Sequence, residues 1–107
     1  MSNVTITQNY SGDGGGFYNA ATTTANLVSI SGNHGYANGG GIYNDAGLTL
    51  TNSTVSGNGA EGGGGMFDTG SGARTVTGST FNDNGGVGGG AYSGRSGVTV
   101  NMTNSTV

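Results

Sequence analysis

The side chains able to do chemistry are few: five acids (Asp13, Asp45, Glu61, Asp68 and Asp83), two arginines (Arg74 and Arg95) and one histidine, His34. Acid–base cleavage of a glycosidic bond needs two carboxylates held on either side of it. The five acids instead fall at different phases of the surrounding pattern, most of them in stretches that read as loops. Asp45 and Asp68 come nearest to a pair, 23 residues apart, with Ser93 at the corresponding position beyond them. They read as solvated turn acids. His34 has no second imidazole to share a metal with, and reads as a corner residue; with no Cys in the chain there is no thiolate site and no disulfide framework. Gly-Asp and Gly-Gly steps occur, but GGxGxD does not recur every nine residues, as a calcium-binding nonapeptide array requires. No catalytic residue, metal or cofactor is expected.

What positions these residues is a period. Glycine blocks close at Gly16, Gly41, Gly65 and Gly90, in steps of 25, 24 and 25, and each is followed by an apolar residue and an aromatic: Phe17-Tyr18, Ile42-Tyr43, Met66-Phe67 and Ala91-Tyr92. A second marker, apolar-x-x-Asn, falls at Ile6/Asn9, Ile30/Asn33, Val55/Asn58 and Phe81/Asn84. Self-similarity at this length is the signature of a solenoid, in which no repeat buries its apolar side alone. No segment has a helical period. The β-forming stretches are short and bounded by Gly or Asn, as in Leu48-Thr49-Leu50-Thr51, Asn52, then Ser53-Thr54-Val55. The fold class expected is all-β: a right-handed parallel β-helix of about four turns of 24–26 residues, with three short strands per turn, forming one domain over residues 1–107. Tyr10 to Asp13 and His34 to Asn38 read as loops.

Composition agrees with a solenoid better than with a globule. Only 31% of the 107 residues are hydrophobic, 26 are Gly and none is Pro, yet the glycines keep fixed phases. Charged residues make up 7%, with a net charge of −3, so nothing could neutralise a run of nucleic-acid phosphates. No stretch is apolar enough to span a membrane, and none has the form of a signal peptide. The chain therefore reads as a fragment, or as one whose targeting segment has been removed.

Stacked turn upon turn, the sequence gives columns. Ile6, Ile30, Val55, Phe81 and Val107 form one inward apolar column; Phe17, Ile42, Met66 and Ala91 a second; Leu50, Val76 and Met102 a third, continued by Ala25 and Met1. Gly15, Gly40, Gly64 and Gly89 also point inward and leave room for the first column. Asn9, Asn33, Asn58 and Asn84 suit an asparagine ladder at a corner. Arg74 fits badly: it occupies the inward slot of Leu48 and Val100, where an unpaired charge is costly. A bulge that puts Ala73 inside and Arg74 in solvent is expected there. Arg95 reads as a solubilising loop charge.

Phe81-Asn82-Asp83-Asn84, alternating with a glycine run plus an apolar residue, resembles the GGA[I/L/V] and FxxN repeats of chlamydial polymorphic outer membrane proteins. The string GGGIYNDAGLTLTNSTVSGN, Gly39 to Asn58, is similar to repeats of large bacterial surface proteins with a right-handed, pectate-lyase-like β-helix. The resemblance covers nearly the whole chain and implies architecture more than activity, because such repeats occur in adhesins, autotransporter passengers, envelope proteins and polysaccharide-active enzymes.

Two outward columns could make contacts. Tyr18, Tyr43, Phe67 and Tyr92 give an aromatic stripe suited to a sugar chain or another solenoid. Thr24, Thr49, Thr75 and Asn101 stack beside Asn26, Thr51, Thr77 and Thr103, an array that resembles the threonine ranks of ice-binding β-helices. The favoured reading is a non-enzymatic structural or adhesive solenoid, extracellular or at the cell surface. Its expected partners are surface polysaccharide or other copies of itself, stacked head to tail into a fibre through uncapped strand edges. A carbohydrate-active or carbohydrate-binding fragment and an ice-binding protein are the alternatives.

Overall fold

Corners set the shape of each turn. At one, Asn3, Leu27, Asn52 and Gly78 have φ of 54°, 55°, 48° and 58°; at the next, Gln8, Gly32, Gly57 and Asp83 have 56°, 63°, 61° and 54°. A single residue in the left-handed region reverses the pleat and bends the chain, so the strands stay short, two to five residues long. The computed structural model describes residues 1–70, 72–94, 100–103 and 105. Through these the chain winds in four turns. The first carries β1 (Thr5–Thr7), β2 (Tyr10–Asp13), β3 (Phe17–Asn19) and β4 (Thr23–Asn26); the second β5 (Ser29–Ser31), β6 (His34–Asn38), β7 (Ile42–Asn44) and β8 (Leu48–Thr51). The third carries β9 (Thr54–Ser56), β10 (Gly59–Ala60), β11 (Met66–Asp68) and β12 (Arg74–Thr77), and the fourth β13 (Thr80–Asn82), β14 (Gly85–Gly86), β15 (Tyr92–Gly94) and β16 (Asn101–Thr103).

Equivalent strands pair in parallel into four sheets: sheet A (β1, β5, β9, β13), sheet B (β2, β6, β10, β14), sheet C (β3, β7, β11, β15) and sheet D (β4, β8, β12, β16). The parallel β-solenoid of about four turns read from the period is therefore the fold, with one correction: a turn has four strands. The stretches expected as loops, Tyr10–Asp13 and His34–Asn38, pair with each other as β2 and β6. Their register slips between Ser11 and Asp13, because the second turn fits one more residue between its asparagine and its apolar strand than the first does. That slip, with the small glycine strands above it, hides the alternation that would mark a strand.

The first column stands as expected: Ile6 pairs with Ile30, Ile30 with Val55 and Val55 with Phe81, while Val107 lies outside the described residues. The third also stands, with Ala25, Leu50, Val76 and Met102 in register and the Met1 carbonyl accepting from the Asn26 N–H above it. The second needs a correction at its upper end. Phe17, Ile42 and Met66 align, but Met66 pairs with Tyr92, so Tyr92 takes the inward place expected for Ala91. Counted from the corner asparagine, Met66 is eight residues beyond Asn58 and Tyr92 eight beyond Asn84. In these two turns the distance from the corner sets the phase, whereas in the second turn, where Ile42 is nine residues beyond Asn33, the slip between β2 and β6 absorbs the extra residue.

The inward glycines have a different reason from the one expected. A Cβ at Gly40 would overlap the carbonyl oxygens of Gly59 and Gly64, so two backbones meet where a side chain would stand. Gly15 and Gly64 are hemmed in by backbone in the same way, and the next member of that column is Gly90, bonded to the Gly65 N–H, instead of Gly89.

Leu27 is the misfit among the corner residues. It is half exposed, and it holds a left-handed conformation that its neighbours in the column satisfy with Asn52 or Gly78. The strain of an ordinary L-residue there is about 1–2 kcal/mol. Leu27→Asn should therefore raise stability by roughly 1 kcal/mol in urea unfolding.

Candidate contact surfaces and the buried ion pair

The asparagine ladder forms as expected. The Asn33 backbone N–H and Nδ2 both donate to Asn58 Oδ1, at 2.9 and 3.1 Å; Asn58 does the same to Asn84 Oδ1, at 3.1 and 3.0 Å. Asn9 donates to Asn33 in the same two ways. Each amide also reaches the carbonyl of the apolar residue that opens the motif one turn below: Asn33 to Ile6, Asn58 to Ile30 and Asn84 to Val55. Apolar-x-x-Asn is thus one unit. Its first residue fills the core, and that residue's carbonyl is satisfied by the asparagine of the following turn.

Two further polar columns went unread in the sequence. Ser53 Oγ accepts from the Val28 N–H and donates to the Thr51 carbonyl, and Ser79 and Ser105 repeat this one and two turns higher. The signal was Thr-x-Ser at Thr51/Ser53, Thr77/Ser79 and Thr103/Ser105, with Ser53 and Ser79 standing just past the left-handed corners at Asn52 and Gly78. The other column is Asn19, Asn44 and Asp68, the residue after each outward aromatic, all buried. Asn19 Nδ2 donates to Asn44 Oδ1 at 2.6 Å, and Asn44 Nδ2 to Asp68 Oδ1 at 3.3 Å.

Asp68 explains Arg74. The expected bulge does not occur: Arg74 pairs in register with Leu48, followed by Thr75 with Thr49 and Val76 with Leu50, and it is Ala73 that is exposed. The guanidinium is 5% exposed and the carboxylate fully buried. Arg74 Nε donates to Asp68 Oδ2 at 2.7 Å and Nη2 to Asp68 Oδ1 at 2.8 Å, while the Gly70 and Gly72 carbonyls accept from Nη2 and Nη1. Asp68 Oδ1 accepts from the Gly70 N–H as well. The charge is inside because its counter-charge stands in the adjacent column in fork geometry. Above the pair lies Tyr92. Its hydroxyl is buried without a partner among the described residues, and burial first, the Asp68 carboxylate second, push it above the ordinary phenol range while Arg74 pulls the other way.

The remaining acids stay apart. Asp45 is exposed and accepts from Thr69 Oγ1 at 3.1 Å, so it does not stack on Asp68, whose partner in register is Asn44. Asp13 accepts from Asn38 Nδ2. Among the described residues no three His, Cys, Asp or Glu side chains converge and no cavity forms. His34 stands on a strand, its ring stacked on Tyr10 at 5.1 Å and 17°. Arg95 lies outside the described residues.

The aromatic stripe on sheet C has three rings, not four, because Ser93 and not Tyr92 stands over Phe67. Tyr18 and Tyr43 stack at 4.9 Å and 5°, and Tyr43 and Phe67 meet at 5.6 Å and 37°. Rings stacked at the strand spacing cover one another's faces and turn their edges to solvent. Such contacts add about 0.5–1.5 kcal/mol per pair to the solenoid. The most exposed rings lie on sheet B, where Tyr10 and Tyr36 are 70% and 68% exposed, with His34 covering one face of Tyr10. The threonine array on sheet D is in the expected register throughout.

Set against known protein families, curated proteins and solved structures, the chain matches none of them. Its class is given by the fold alone, a parallel β-solenoid.

The neighbouring turn shows what the ion pair replaced, since Asn44 and Leu48 hold the places of Asp68 and Arg74. Arg74→Leu alone strands a buried carboxylate and should lose about 3–5 kcal/mol. Adding Asp68→Asn to it restores the pattern of the turn below and should recover that loss or exceed the parent by roughly 1 kcal/mol or more. Chemical unfolding of the two variants measures both values.

Proposed function

We propose that this chain is a non-enzymatic structural or adhesive β-solenoid of the cell exterior that presents its outer faces to surface polysaccharide. One observation carries the reading: ionisable groups that could cleave a glycan are scattered or tied up inside the fold, whereas exposed aromatic rings gather on adjoining sheets. Asp68 and Arg74, the acid and base in contact, neutralise each other in the interior. Tyr10, Tyr36 and Tyr18, each at least half exposed, stand on sheets B and C. An open tyrosine face beside a polar edge suits the apolar face of a sugar ring. The repeat resemblance to polymorphic outer membrane proteins and pectate-lyase-like surface proteins supports the location. Among the described residues the outer strands of each sheet, such as β1 and β16, have a neighbour on one side only. Further turns or a second copy could continue the columns there, which suits fibrous assembly.

Retention on immobilised neutral and acidic polysaccharides, with assay of new reducing or unsaturated ends, tests the reading. Retention without turnover is expected. Tyr10→Ser with Tyr36→Ser should lower it and leave the β-sheet circular dichroism unchanged. Tyr43→Ser with Phe67→Ser should instead lower the melting temperature through the lost ring stack. Release of new chain ends, abolished by Asp45→Asn, would overturn the proposal in favour of an enzyme.

A further inference from the structure

We infer a second binding face on sheet D, and the ligand it fits is the surface of crystalline water. Six of its eight outward positions are threonine: Thr24, Thr49, Thr51, Thr75, Thr77 and Thr103, the other two being Asn26 and Asn101. The face is built as a lattice. Equivalent residues repeat along the solenoid at the strand spacing of about 4.8 Å, and alternate residues along a strand at about 6.6 Å. A regular two-dimensional repeat of this kind is what ranked contact with a crystal face requires. Every pair on sheet D is in register without a slip, in contrast to sheet B. None of the eight positions carries a charge, which would hold a hydration shell incompatible with an ice layer.

The chain also contains its own comparison. Sheet A, reached round one corner, is an outward row of the same strand spacing and the same neutrality, but Ser29, Ser31, Ser56 and Asn82 occupy half of its eight outward positions. Threonine is restricted about χ1, so its hydroxyl and methyl are already placed before a ligand arrives. Serine lacks the methyl and rotates freely, so ordering it against a lattice costs entropy. The difference lies in residue type more than in burial. Thr49, Thr51, Thr75 and Thr77, the four central positions of sheet D, are each half-buried, whereas among the central positions of sheet A Thr54 is exposed and Ser29, Ser31, Ser56 and Thr80 are half-buried. Among the described residues the hydroxyls of these four threonines make no hydrogen bond within the chain, while the inward Ser53 and Ser79 hydroxyls are bonded in their ladder. Sheet D therefore offers a preordered array of methyl groups and unengaged hydroxyls, and sheet A offers hydroxyls without that order.

Thermal hysteresis and inhibition of ice recrystallisation by the whole purified chain test this, independently of polysaccharide retention. The expected result is hysteresis with faceted crystals. It should fall to the baseline of an inert protein in Thr75→Lys, and be weakened in the gentler double change Thr49→Ser with Thr51→Ser. Thr54→Lys on sheet A should leave it unchanged, with all variants keeping the parent melting temperature. Absence of hysteresis in the parent chain would overturn the inference, as would equal loss from Thr75→Lys and Thr54→Lys. A dimer dissolved by Thr75→Lys, without hysteresis, would also overturn it and mark sheet D as a contact between copies.

Discussion

The structure depends on one constraint: parallel pairing places every residue on its equivalent one turn away, so whatever a turn buries must suit the same position above and below it. An apolar column meets this by dispersion and area alone. A corner has the harder task, because bent backbone turned inward leaves N–H and C=O groups that no strand partner can reach. The asparagine ladder resolves it with one side chain per turn. Asn58 accepts two bonds from Asn33 and donates to the Ile30 carbonyl, and its own N–H and amide pass the pattern on to Asn84. A turn slipped by one residue would lose all of these at once. The ladder is thus a register device as much as a source of stability.

The columns that the sequence revealed were those in which a residue type repeats without variation. Isoleucine, valine and phenylalanine at Ile30, Val55 and Phe81, and the asparagine three residues on, need only a period to be found. Counting glycines failed in the fourth turn alone, where the glycine block closes one residue sooner after its corner asparagine than in the third. That is why Tyr92, and not Ala91, is inside. The fourth strand of each turn was hidden for a related reason: on β10 and β14 it is built from Gly59, Ala60, Gly85 and Gly86, which have almost no side chain to alternate. The contact surface moved with these corrections. Tyr18, Tyr43 and Phe67 share a column, but stacking takes up the faces that made them attractive as a sugar platform, and the most exposed rings, Tyr10 and Tyr36, are on the two strands that sequence alone reads as loops.

Arg74 shows how the constraint is relaxed. A single charged residue in an apolar column is incompatible with the fold, yet the third turn holds one, because Asp68 changed with it in the column alongside. The two columns are joined by a Thr23–Asn19 hydrogen bond in the first turn and by the ion pair in the third, and only the coordinates bring residues 68 and 74 within 2.7 Å. Sequence reasoning that treats one column at a time therefore sends Arg74 outward. Outside the core the same stacking has the opposite effect: it converts an ordinary preference for threonine on strands into ordered rows.

Urea unfolding of Asn58→Leu beside Asn82→Leu, a nearby asparagine that is exposed, is the measurement closest to the ladder's role. Leucine at 58 keeps the volume but orphans the Asn33 N–H and amide and the Ile30 carbonyl, at about 1–3 kcal/mol for each buried group. With the ladder holding the register, Asn58→Leu should lose the cooperative transition or shift it far to lower urea, while Asn82→Leu stays within about 0.5 kcal/mol of the parent. An Asn58→Leu chain that unfolds cooperatively at the parent's urea concentration would contradict the claim that the corner amides hold the turns in place.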